Sequence, residues 1–174
     1  MAGMAGRHTG RIIQKDRERL NPPPHLLDYA RECADFSWDK ARALLGGLPG
    51  GKGLNIAHEA VDRHAAGPLS GKLALRWIGK AGERRDLTYA DLRGETNRFA
   101  NALASLGVRP GERVFVLMGR LPELHIAVLG ALKSRCAVTP LFSAFGPEPI
   151  AMRMQLGDAR VLVTTPALYA HKVA

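Results

Sequence analysis

Between residues 88 and 164, stretches with a helical spacing of apolar residues alternate with short stretches that are apolar throughout. The apolar stretches at residues 114–118, 137–141 and 161–163 predict strands that are covered on both faces. The segments between them predict helices, and Thr88, Pro122 and Pro147 stand where these helices begin. The first helix is predicted to have an apolar stripe that includes Leu106 and to end at Gly107. The alternation predicts an α/β fold with a partial doubly wound, mainly parallel sheet and flanking helices.

The chain ahead of this alternation follows other patterns. Residues 1–35 begin polar and basic, contain a run of three prolines at 22–24, and predict a loosely ordered arm. Ser37 predicts the cap of a short helix, and Asn55 predicts the cap of a second helix that buries Ile56, Ala60 and Val61. Alternating residues at 72–78, a turn at 79–82 and the stretch 83–87 predict a β-hairpin.

Composition and charge limit the class of protein. The 174 residues are 46% hydrophobic and 24% charged, as in ordinary globular proteins, and no apolar run is long enough to cross a bilayer. The net charge of +9 is scattered along the chain, and aromatic residues make up only 6%. This indicates a diffuse positive field for anionic metabolites or acidic surfaces rather than a nucleic-acid groove. We expect a cytoplasmic protein in which Cys33 and Cys136 are reduced, buried thiols.

Motifs for catalysis are missing from the sequence. It contains no G-x-G-x-x-G, no G-x-x-x-x-G-K-[ST], no G-x-S-x-G and no H-E-x-x-H. We therefore predict no catalytic residue and no metal ligand. The stretch 141–148 leaves the carboxyl end of a predicted strand, where open sheets bind ligands. Its two phenylalanines flank small residues, which fits either a ligand-binding loop or a loop whose aromatic rings cover the sheet edge.

Several short stretches together carry a resemblance to a known family. They are residues 54–57 (L-N-I-A), 62–64 (D-R-H), 87–92, 97–100, 111–114, 122–124 and 142–148 (F-S-A-F-G-P-E). From about residue 36 onward the chain resembles the acetyl-CoA synthetases, or acetate–CoA ligases, of the acyl-adenylate-forming (AMP-binding) superfamily. The resemblance implies that residues 36–174 form the first part of an AMP-binding domain.

The resemblance also implies an activity and a set of contacts. The whole enzyme of that family uses ATP and Mg²⁺ to convert acetate to an acetyl-adenylate and then forms acetyl-CoA, releasing AMP and pyrophosphate. Residues matching Phe142, Ser143 and Ala144 lie near the adenine end of coenzyme A. Basic residues shortly after the third strand contact its 3′-phosphate; His171 and Lys172 stand there, and Lys172 is the predicted contact.

The family's phosphate loop, acyl pocket and catalytic lysine lie downstream of the matching stretch. We therefore expect an incomplete domain whose partners are small-molecule substrates and the remainder of a ligase, without nucleic acid or membrane. Alone it should be inactive. The alternative is a free-standing α/β module that binds a nucleotide-like anion such as coenzyme A.

Overall fold

The computed structural model describes residues 21, 22 and 24–173, and the chain divides into two units, Met1–Leu44 and Leu45–Ala174. In the first unit, helix α1 spans Tyr29–Asp35 and helix α2 spans Trp38–Ala43. Ser37 caps α2 as predicted, because its hydroxyl accepts a hydrogen bond from the Lys40 backbone N–H at 3.2 Å.

Helix α1 lies inside the stretch 1–35 that the sequence predicts as a loosely ordered arm. Its N-cap is Asp28, whose carboxylate accepts from the Arg31 backbone N–H at 3.1 Å, and it buries no residue. Cys33 on this helix is exposed, so the prediction that this thiol is buried is wrong. Residues 1–20 lie outside the described part, and the predicted domain boundary at residue 36 stays a prediction.

The second unit contains the elements of the α/β fold. In chain order they are a 3₁₀ turn at Pro49–Gly51, a π-helical turn at His58–Asp62, α3 (Arg63–Ala65), β1 (Leu73–Ile78), β2 (Arg84–Thr88), α4 (Tyr89–Ser105), β3 (Arg113–Leu117), α5 (Pro122–Lys133), β4 (Ala137–Pro140), α6 (Pro147–Leu156), β5 (Ala159–Thr164) and α7 (Pro166–Lys172). None of the described helices is long and apolar enough to cross a membrane.

The central sheet has the strand order β4-β3-β5, and both of its pairings are parallel. Val114 of β3 stands opposite Val138 of β4 on one side and Val161 of β5 on the other. The predicted parallel layer is therefore confirmed. The fold class predicted from the alternation, an α/β fold with a parallel sheet flanked by helices, is what the structure shows.

The side chains of β3 alternate between two faces of the sheet. Val114 and Val116 belong to one core cluster, with residues of α4 and α5. Phe115 and Leu117 belong to another, with Ile150 of α6 and one residue of α7. Helices therefore cover both faces, which explains why residues 114–117 of β3 are all apolar.

Helix α4 begins as the sequence predicts. The Thr88 hydroxyl accepts from the Asp91 N–H at 3.2 Å, and the Asp91 carboxylate accepts from the Thr88 N–H at 3.0 Å, which completes a capping box. Its predicted end is also confirmed, since Gly107 has a φ of 74°. Leu106, predicted to lie on the buried stripe, is 66% exposed.

The segment after Asn55 is helical, but its buried side differs from the prediction. Asn55 Oδ1 accepts from the backbone N–H groups of Ala57 and His58, so the predicted cap is confirmed. Val61 is buried as predicted, together with Ala57 and Ala65. The buried residues recur every four positions through a segment that includes a π-helical turn. Ile56 and Ala60 fall outside this repeat and are therefore exposed.

Candidate functional site

The carboxyl ends of β3 and β4 form a point where the chain leaves the sheet toward opposite faces. After β3 it enters α5, which packs with α4 against Val114 and Val116. After β4 it enters α6, which packs against Phe115 and Leu117. The two connecting loops, residues 118–121 and 141–146, thus diverge at the edge where open α/β sheets bind ligands.

The 141–146 loop is fixed to the sheet at its start and folded into a turn. The Leu141 backbone N–H donates to the carbonyl of Val116 at 2.8 Å, and the Leu141 side chain is buried. The Phe145 N–H donates to the Phe142 carbonyl at 3.0 Å. Ser143 and Ala144 therefore lie at the tip of a closed turn.

The two aromatic rings of this loop have different surroundings. Phe142 and Phe145 meet edge to face with ring centroids 5.6 Å apart. The Arg153 guanidinium lies over the Phe145 ring at 4.2 Å, a cation–π contact. Phe142 is 64% exposed, so its ring is available to stack on a planar ligand.

Lys172, the last residue of α7, reaches the same loop. Its ammonium Nζ donates to the Ser143 carbonyl at 2.7 Å and to the Phe145 carbonyl at 2.8 Å. Among the described residues, no carboxylate lies within ion-pair distance of Lys172, so its positive charge is not neutralised. The residues that the sequence singled out, Phe142, Ser143, Ala144 and Lys172, are thus brought together, while their role in binding stays a prediction.

A groove of about 450 Å³ lies beside the lysine, between α6 and α7. Its lining is Pro147, Glu148, Ile150, Ala151, Met154, Lys172 and Val173. The volume falls within the range of small-ligand sites, and a mostly apolar wall with few polar groups is typical of them. An anion with a flat apolar part matches this combination of groove, ring and cation.

Two residues at this end of the sheet were not predicted. Arg153, which holds Phe145 from α6, carries no motif in the sequence beyond a basic residue near a helix end. Thr164 ends β5, and its Oγ1 is buried with no hydrogen-bond partner among the described residues. A threonine at a strand end is too common to be recognised from sequence, so only the packing identifies it.

The stretches 54–57 and 62–64, which contribute to the resemblance, have a structural role. Asn55 Nδ2 donates to the Leu132 carbonyl at the end of α5, at 2.8 Å. Asp62 accepts from Lys133 Nζ at 2.5 Å, and Lys133 also donates to Asn97 Oδ1 of α4 at 2.7 Å. These contacts attach the segment before the hairpin to the helical layer, and they lie away from the 141–146 loop in the chain.

Groups of at least three histidine, cysteine, aspartate or glutamate side chains able to hold a metal ion do not occur in the described part of the chain. Cys136 is buried, and burial raises the pKa of its thiol. It packs in the core cluster with Val114 and Val116.

Comparison with known proteins finds one matching family and relatives with similar sequences. The family of AMP-binding enzymes matches residues 61–174. The acetyl-coenzyme A synthetase of Bacillus subtilis is 37% identical over 145 residues, which are 83% of this chain and 25% of that protein. The 3-hydroxypropionyl-coenzyme A synthetase of Metallosphaera sedula is 42% identical over 118 residues, which are 68% of this chain and 18% of that protein.

The fold is also similar to a solved structure. The acyl-CoA synthetase of Brucella canis superposes with a TM-score of 0.74 at 37% identity, covering 82% of this chain and 26% of that one. The chain thus spans between 18% and 26% of the length of these relatives. Since the family match covers more than half of its residues, the chain belongs to the AMP-binding enzyme family.

Proposed function

We propose that this chain is part of an AMP-forming acyl-CoA ligase that activates acetate with ATP and Mg²⁺ and transfers the acetyl group to coenzyme A. The family match and the names of its relatives support this reaction class. The single structural observation that carries it is the 141–146 loop with the Lys172 ammonium bonded to it, at the carboxyl edge of the sheet.

Within this reaction we assign the 141–146 loop to the adenine end of coenzyme A. The exposed Phe142 ring would stack on the base, the backbone at Ser143 and Ala144 would border it, and the charge of Lys172 would attract the phosphates. Coenzyme A, when bound, supplies the thiol that accepts the acyl group. We assign none of the described residues to ATP, Mg²⁺ or a catalytic step.

Acetate is the acid we propose. The Bacillus subtilis relative is named for acetyl-CoA, and the Metallosphaera sedula relative for 3-hydroxypropionyl-CoA, so the acid differs between relatives of similar identity. Rates of the whole ligase with acetate, propionate and 3-hydroxypropionate decide which acid is preferred. We place the reaction in the cytoplasm, with small-molecule substrates and without nucleic acid or membrane.

The 174-residue chain alone should not catalyse adenylation. Strands β4 and β5 each pair on one side only in the described part, which supports a sheet that further polypeptide extends. The test is release of pyrophosphate by the purified chain with ATP, Mg²⁺ and acetate. Release above a control without acetate contradicts this part of the proposal.

Binding of coenzyme A tests the loop assignment without requiring turnover. Titration calorimetry should detect binding to the chain, and Phe142→Ala should weaken it about tenfold, in line with the loss of one base–aromatic stack. Phe36→Ala, which removes another exposed phenylalanine, is the matched control and should bind like the parent chain. Equal affinities for the parent and Phe142→Ala contradict the assignment.

A free-standing binding module is the second candidate. The tethered 141–146 loop favours it, because its ring, turn and cation all come from this chain. The module predicts a monomer that melts cooperatively and at a higher temperature with coenzyme A. Aggregation and binding of an apolar dye favour the ligase part instead.

A further inference from the structure

Lys172 holds the backbone of the 141–146 loop on both sides of Ala144, through the carbonyls of Ser143 and Phe145. We infer that Lys172 is a positioning residue, which orders this loop for its ligand, rather than a direct ligand of a phosphate. The inference rests on the proposed coenzyme A site and changes the role of one of its residues.

The hydrogen-bonding capacity of the ammonium supports this role. A lysine ammonium has three N–H donors, and the loop carbonyls at 2.7 and 2.8 Å take two of them. A phosphate could therefore receive at most the remaining one. The charge still contributes to the field at the site, but the directional bonds of the side chain go to the loop.

The loop has few other restraints between its ends. Its backbone bonds are those from Leu141 to Val116, from Phe145 to Phe142, and from Ile150 of α6 to Gly146 at 3.4 Å. The described structure gives the backbone N–H groups of residues 142–144 no partner within the chain. Loss of the lysine bonds would release the turn that carries Phe142, and a ligand would then have to order it.

The position of Lys172 in the fold means that its contact connects two separate parts of the sheet. It ends α7, which follows β5, whereas the loop follows β4, and β3 lies between these two strands. The lysine therefore joins the connections at the two outer strands of the sheet. A ligand that orders the loop should therefore also order the end of α7.

The test compares Lys172→Met with Lys80→Met in the full chain. Methionine keeps the aliphatic length of the side chain and removes the N–H donors. Lys80 is an exposed lysine in the β1–β2 turn, so Lys80→Met removes the same charge away from the loop. Hydrogen–deuterium exchange of the peptide covering residues 142–146 should quicken about tenfold in Lys172→Met and stay unchanged in Lys80→Met. Unchanged exchange in Lys172→Met overturns the inference.

Binding of two ligands separates positioning from phosphate contact. Coenzyme A and dephospho-coenzyme A differ by the 3′-phosphate, and Lys172→Met should raise the Kd of both by the same factor, within about threefold. A Kd that rises about tenfold for coenzyme A alone overturns the inference, because it shows that the lysine acts on the phosphate.

The two proposals fail separately. If the parent chain binds neither ligand, the coenzyme A assignment fails, while the exchange measurement still decides whether Lys172 orders the loop. If Lys172→Met does not fold, Lys172→Gln replaces it. Its amide can donate to the loop but is shorter and uncharged, so exchange of residues 142–146 should still be faster than in the parent, and exchange equal to the parent counts against the inference.

Discussion

Lys133 Nζ lies 2.5 Å from Asp62 Oδ1, although 71 positions separate the two residues in the chain. The lysine also donates to Asn97 of α4 at 2.7 Å, and its side chain is only 9% exposed. One ammonium thus joins the end of α5, the π-helical turn and α4. Asp62, the aspartate of the D-R-H stretch, therefore has a structural role as the partner of Lys133. This role explains an aspartate at this position without a bound ligand.

Replacing Lys133 by methionine should lower the free energy of unfolding by about 2 kcal/mol, since the Asp62 carboxylate loses its cation in a partly buried position. Urea unfolding measures the change. Lys52→Met removes an exposed lysine that lines a surface cavity together with Asp62 and Lys133, and it should change stability by less than about 0.5 kcal/mol.

The double variant Lys133→Met with Asp62→Asn isolates the pair. Its loss should be smaller than the sum of the two single losses by about 1 kcal/mol or more, because each single change already breaks the contact. Additive losses would show that the two side chains do not depend on each other, contrary to the distance between them.

Helices α4 and α5 approach closely at Gly130. A Cβ atom at this position would lie 2.8 Å from Phe99 Cδ1 and 2.9 Å from the Thr96 carbonyl oxygen. Gly130→Ala should therefore destabilise the fold by about 1–2 kcal/mol despite the better helix propensity of alanine. Urea midpoints measure the effect.

Gly94→Ala is the control for this change. Gly94 lies in α4, and a Cβ there would be 3.8 Å from Arg98, an ordinary contact. It should stabilise by up to about 1 kcal/mol, through helix propensity alone. Two substitutions of the same kind should thus change stability in opposite directions, and a gain at Gly130 would contradict the close approach.

Local signals in the sequence predicted much of the fold. The caps at Ser37, Asn55 and Thr88 are all confirmed, because a cap needs only a side chain and backbone groups two or three residues away. The parallel layer is confirmed because the apolar strands admit few arrangements.

Properties that depend on distant packing were predicted less well. Leu106 continues the apolar spacing of α4, yet it lies beyond the last turn and is 66% exposed. The resemblance singled out Lys172, but its bonds to the Ser143 and Phe145 carbonyls depend on how α7 crosses the sheet edge. No spacing in the sequence encodes a contact over 27 or 29 positions.

Glu59 should make stability depend on acid pH. Its hydrogen bond to Arg63, together with those from the backbone N–H groups of Gly46 and Gly47, lowers its pKa from 4.5 to about 2. A carboxylate with a lowered pKa in the folded state stabilises above its ordinary pKa. This contribution should therefore be complete above about pH 4.5 and disappear as the pH falls toward about 2.

Glu59→Gln should lower the urea midpoint at neutral pH and flatten its dependence on pH through that window. Glu148→Gln is the control, since this exposed carboxylate has no hydrogen bond or ion pair with any other described residue. Its curve should keep the slope of the parent. An equally steep curve for Glu59→Gln would show that other groups cause the acid transition.

The hairpin supports the loop that follows β3 through one indole. Trp77 Nε1 of β1 donates to the Arg120 carbonyl at 2.7 Å, and Arg85 of β2 pairs with Glu123 at the start of α5 at 2.5 Å. Because the 118–121 loop forms one side of the point where β3 and β4 diverge, the hairpin fixes a border of the candidate site from outside the sheet.

Trp77→Phe keeps an aromatic ring and removes the donor, so we expect a loss of about 1 kcal/mol in stability. Hydrogen–deuterium exchange should quicken in the 118–121 loop and stay unchanged in the 141–146 loop, which Lys172 holds independently. Trp38→Phe, at a 78% exposed position, should change neither loop. Faster exchange in both loops of Trp77→Phe would mean that they are ordered together, and the separate role of Lys172 would then lose its support.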